Sequence, residues 1–94
     1  MTSLHLPWAT RVSRADSSEA LDRLMDAWYE GVTAGGGLHG AIGFDSHMKS
    51  RDWESAKGSI ERTYGRSSRE HQLTLDTLSA AIQNRRMLAP QEQP

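Results

Sequence analysis

Apolar residues in this chain recur at helical and not at strand intervals, and that spacing limits the fold more than any other feature. Leu21, Leu24, Met25, Trp28 and Val32 fall at i, i+3, i+4, i+7 and i+11, one stripe of a 3.6-residue period. Trp53, Ala56, Ile60 and Tyr64 form a second stripe, and His71, Leu75, Leu78 and Ile82 a third. Val and Ile, which favour strands, number only five together. The expected fold is all-α: an extended N-terminal arm (1–15), a three-helix domain (16–89) and a polar C-terminal tail (90–94).

Capping residues place the boundaries. The first helix is expected over 17–34, with Asp16 and Glu19 at capping-box spacing and the glycine triplet 35–37 ending it. The second begins between Ser46 and Ser50, either serine serving as cap, and ends at Gly65, where a left-handed residue is expected. The third covers 68–88, with Ser67 and Glu70 as its capping box and Ala89-Pro90 as its stop. Between the first two helices, residues 35–47 read as a folded connection anchored by Leu38, Ile42 and Phe44. In the arm, Leu4, Leu6 and Trp8 alternate with polar positions or Pro7, which reads as an extended strap lying across the helices.

The core is thin for a single chain. Leu, Ile, Val and Phe make up 15 of 94 residues, so three Trp and four Met must supply bulk, or a second chain must complete the core. The third helix carries another stripe, Leu73, Ala80 and Met87, about 120–160° from the first. It serves either as core beneath the arm or as a seam to a second chain. Three members are too few for a long coiled coil.

Charge and motifs narrow the function. Eleven Lys and Arg against 12 Asp and Glu leave a net charge of −1, which is not the footprint of a protein held on nucleic acid or lipid by bulk charge. No apolar run approaches a membrane span, and the first fifteen residues lack a signal-peptide core. The absence of cysteine excludes disulfides and fits a cytoplasmic chain. GGGLHG at 35–40 matches G-x-G-x-x-G, yet it follows a helix rather than a strand, so phosphate binding is not expected. His39, Asp45, His47 and His71 lack zinc-site spacing, and neither metal nor cofactor is expected. Ser46-His47 do not form a triad, and Asp45 with Asp52 would need a pocket, so the chain is not expected to be an enzyme.

Two functional readings lead, and a metal- or ligand-sensing helical module using the glycine-rich loop 35–47 is kept as a third. In the first, the chain is a small regulator (an inhibitor, antiactivator or adaptor) that occludes a surface of a partner protein, with Leu4, Leu6, Trp8, Tyr29, Leu73 and Met87 as contacts and a homodimer as a possible form. Under this reading Leu73→Asp or Met87→Asp abolishes association while helicity is kept. In the second, Arg62, Arg66, Arg69, Arg85 and Arg86 contact DNA around a helix-turn-helix. Measured from Gly65, that motif requires a small residue and an apolar one where Glu61 and His71 stand, so the match is poor.

Overall fold

The computed structural model describes residues 7–34, 38, 40–66 and 68–92. The fold is all-α, but the described residues form five helices rather than three: α1 (Trp8–Ser13), α2 (Ser18–Ala34), α3 (Phe44–Lys49), α4 (Trp53–Thr63) and α5 (Arg69–Glu92). They pack into a slab 40 × 39 × 20 Å, thin enough for two layers of helix. Helix α5 spans the slab and packs against α1, α2 and α4, while α3 packs against α4. No helix among the described residues is long and apolar enough to cross a membrane.

The first correction concerns the arm. Residues 8–13 are helical, not extended, and Val12 of α1 is fully buried against the core. Pro7 directs the chain into this helix, since a proline at the N-cap needs no N–H and the Pro7 carbonyl accepts from Arg11 N at 3.0 Å. Leu4 and Leu6 lie outside the described residues.

The second concerns the connection. Leu38, Ala41, Phe44 and Met48 are buried, so a stretch read mainly as connection supplies core and contains α3. Ile42, expected as an anchor, is 90 % exposed. Gly43 explains the difference: its φ of +83° turns the chain into α3, so Ala41 and Phe44 face inward and Ile42 outward. Helix α3 ends in a Schellman arrangement, with Asp52 N bonded to His47 O at 2.8 Å and Arg51 N to Met48 O at 3.1 Å. The left-handed position is held by Arg51, φ 57°, where glycine is usual. The arginine side chain offsets that cost through Asp26 at 2.8 Å and Asp22 at 3.7 Å.

Caps fall one residue or more from their expected places. Ser17, not Asp16, caps α2, accepting from Ala20 N at 3.1 Å. Asp52, neither Ser46 nor Ser50, caps α4, accepting from Ser55 N at 3.2 Å. The Ser55 hydroxyl first, and then this backbone N–H, hold the Asp52 carboxyl below its ordinary pKa. Ser68 caps α5, accepting from His71 N at 3.2 Å, and Ser67 lies outside the described residues. Gly65 takes the left-handed position expected of it, φ 63°.

Pro90 does not stop α5, which runs on to Glu92. A proline near a helix end loses one backbone bond but still fits the helical φ. The extra turn brings the Glu92 carboxylate to the start of α2, where it accepts from Ser18 N at 2.9 Å and from the Ser18 hydroxyl. The tail read as 90–94 therefore begins inside a helix.

The core is built from large side chains. Trp53, Phe44, Leu21, Met25, Ile60, Leu75, Leu78 and Val12 are fully buried, and Trp28 meets Phe44 edge-on at 6.5 Å. On α5 the face turned to α1 consists of Thr74, Thr77, Ala81, Asn84 and Leu88, all buried. Both threonine hydroxyls bond back to their own helix at 2.9 Å, to Glu70 O and Leu73 O. With the hydroxyls satisfied, these side chains behave as small apolar ones and let α1 approach closely.

Candidate functional site

Besides the burial of Val12, the end of α1 is tied to α5 by one buried side chain. Asn84 Nδ2 donates to Val12 O at 2.9 Å and to Ala15 O at 3.0 Å. These carbonyls lie at and just beyond the end of α1, where intrahelical donors run short; among the described residues Val12 O has only the Ala15 N–H besides, at 3.3 Å. Fixed this way, α1 presents Trp8 beside the N-terminal half of α5, with the Arg11 guanidinium 4.2 Å over the indole.

Between them lies a groove of about 770 Å³. Pro7, Trp8 and Ala9 form one wall. Trp28 and Val32 of α2 contribute the floor, Trp28 nearly buried and Val32 half-buried. The other wall is two turns of α5, with Leu73, Thr74 and Thr77 inside and Arg69, Glu70 and Asp76 at the edge. Leu73 stays 48 % exposed. The groove combines an apolar interior, two tryptophans and charged residues at its edge.

Trp8 and Leu73, two of the residues singled out from sequence, meet in this groove. Met87 and Tyr29 do not. Met87 is 67 % exposed on the same α5 stripe as Leu73, but about 21 Å further along the helix. Ala80, between them, is half-buried and packed on the core. Tyr29 is turned toward α3, where its hydroxyl donates to Asp45. That bond first, then burial and the Asp45 charge, push the Tyr29 phenol up to about 12. A phenol raised from 10 to about 12 on folding contributes stability that is fully present below pH 10 and lost as pH rises through 12. Titration at 295 nm is expected to show one tyrosine ionising near pH 12, and Tyr29→Phe to remove that step. A native midpoint near 10 for Tyr29 would contradict the contact.

The five arginines do not gather. Arg85 and Arg86 lie about 24 Å along α5 from Arg69. Arg85 stacks on Trp53 at 3.6 Å and donates to Arg51 O at 2.7 Å. Arg86 pairs with Glu54 at 2.8 Å, and Arg66 reaches Asp76 at 3.7 Å. Arg62 folds back over Gly58, where an added Cβ would stand 3.0 Å from the guanidinium. Only Arg69 lines the groove.

The chemistry-bearing residues of the connection have structural partners instead. Asp45 receives Tyr29, and Asp52 caps α4. His71 stacks on Tyr64 at 4.2 Å with its Nδ1 2.8 Å from the Ser68 hydroxyl, and Gly40 N donates to the Tyr64 hydroxyl at 2.9 Å. Among the described residues no three His, Asp or Glu side chains gather at metal-binding distance. Gly35, Gly36, Gly37 and His39 lie outside the described residues.

Sequence reasoning missed Val32, Asp76, Thr77 and Asn84 as makers of this site. The available signal was the run of small or amphipathic residues at 74, 77, 81 and 84, one face of α5 between its two apolar stripes. Comparison with protein-family models, with curated proteins and with solved structures finds no match to this chain.

Proposed function

We propose that the chain is a small helical protein-protein interaction regulator, an inhibitor, antiactivator or adaptor, that docks a partner in the groove between α1, α2 and α5 and occludes its surface. The observation that supports this reading is the groove itself, with Trp8, Trp28, Val32 and Leu73 around one apolar trough and charges confined to its edge. Two turns of exposed α5 suit a partner helix, whose anchors at i, i+3 or i+4 and i+7 would fall along the trough.

The test is affinity capture of the tagged chain from lysate of its host after nuclease treatment, comparing wild type with Leu73→Asp and Met87→Asp. Both substitutions sit at exposed positions, so helicity by circular dichroism is expected to be unchanged. A carboxylate in the trough is expected to weaken capture at least about tenfold, while Met87→Asp, outside the groove, leaves it unaltered. Equal capture by all three chains, or loss of every partner on nuclease treatment, would overturn the reading.

A further inference from the structure

We propose that the resting occupant of the groove is a second copy of this chain, seated by an antiparallel pairing of the two α5 helices centred on Leu73. The inference rests on the groove being a protein-docking surface and names what covers it in the absence of another partner.

The argument is one of charge and symmetry. Arg69 and Asp76 are one heptad apart on α5, so they share a stripe and stand about 10 Å from each other along the axis. Leu73 lies between them, within about 60° of arc of both on the same side of the helix. A two-fold axis near residue 73 brings Arg69 of each copy opposite Asp76 of the other, and both pairs form at once because the interface is isologous. The same axis sets the two Leu73 side chains against each other at the α5 walls of the two troughs.

The charges are available for this. Arg69 has no ion-pair partner within the chain among the described residues. Asp76 has only Arg66, at 3.7 Å, and both are about half exposed. The rim carries Arg69, Glu70 and Asp76, and within it Arg69 and Asp76, related by seven residues on one helix, complement each other across a two-fold axis. The groove is smaller than the surface of a standard stable interface, so the expected dimer is weak, with Kd on the order of micromolar or above.

Reversing the charges tests the pairing. In an Arg69→Glu chain both cross-copy pairs become acid against acid, and in an Asp76→Arg chain both become base against base. Each variant alone is expected to bind itself at least about tenfold more weakly than wild type. An equimolar mixture restores two attractive pairs per dimer and is expected to form a 1:1 heterodimer. The Arg69→Glu/Asp76→Arg double variant is expected to dimerise again as a single chain.

Sedimentation and native mass spectrometry of the purified full chains, up to about 100 µM, read these states. All the substituted positions are exposed, and circular dichroism checks that each variant is folded. A wild-type chain that stays monomeric throughout, single variants that dimerise as wild type does, or a mixture that stays monomeric would each overturn the inference. The readouts are separable from the proposed function. Leucine-73-dependent capture of a host protein by a monomeric chain would sink the dimer and leave the docking role standing. A dimer that follows the charge swap, with no host protein captured, would do the reverse.

Discussion

Trp53→Ala is expected to lower the melting temperature by on the order of 15–30 °C, the largest effect of any single substitution considered. Trp53 is only 1 % exposed and opens α4 directly after the Asp52 cap. Truncating a buried tryptophan costs about 3–5 kcal/mol, against a total stability on the order of 5–10 kcal/mol for a domain of this length. The loss extends beyond the cavity. The Arg85 guanidinium rests 3.6 Å from the ring centroid and donates to the Arg51 carbonyl at 2.7 Å. Without the indole, this partly buried cation loses the face that holds it. Trp53→Phe separates size from polarity. The Trp53 indole N–H is buried with no hydrogen-bond partner among the described residues, so its removal offsets part of the lost area, and the expected cost is about 1 kcal/mol. Thermal circular dichroism of the two variants decides; equal, small shifts would contradict the packing described.

Asn84→Ala is expected to release α1. The side chain supplies both N–H groups that bind Val12 O and Ala15 O, and its loss leaves two carbonyls without those donors. The expected cost is about 2–3 kcal/mol. A six-residue helix does not persist alone in water, so α1 is expected to open once these bonds are gone. The consequence reaches function, because α1 carries the Trp8 wall of the groove. Hydrogen exchange is expected to show amides 11–15 losing protection while those of α4 keep theirs, and docking is expected to fall with it. Asn84→Asp, which cannot donate, is expected to behave the same way. Wild-type protection of α1 in either variant would show that burial of Val12 alone holds it.

The parts of the fold legible in the sequence are those where periodicity and hydrophobicity point the same way. The stripes Leu21/Met25/Trp28 and Trp53/Ala56/Ile60 are buried as their spacing implies. The face of α5 that receives α1 was not legible, because Thr74, Thr77 and Asn84 are polar by composition and become core only through hydrogen bonds that the fold creates. Helix α3 was hidden for a similar reason. Phe44 and Met48 are four apart, but the single turn between them is too short for a periodic signal, and the glycines around it dominate the local reading. Pro90 reads as a stop in the sequence because the Glu92–Ser18 contact, 74 residues apart, has no local trace.

The same distinction applies to the site. Leu73 stood out as an apolar residue off the main stripe, and it lines the groove. Met87 stands out by the same rule, yet it lies outside the groove. Exposure of one side chain is a property of the helix; a groove also requires the helices that flank it.

The central claim is that the trough beside Leu73 is where another protein chain sits. A photo-crosslinking amino acid placed at position 73, and in a parallel chain at position 87, tests it most directly in the host cell. The account predicts a discrete cross-linked protein adduct from position 73 and none from position 87. Adducts from 87 alone, or from neither, would contradict it.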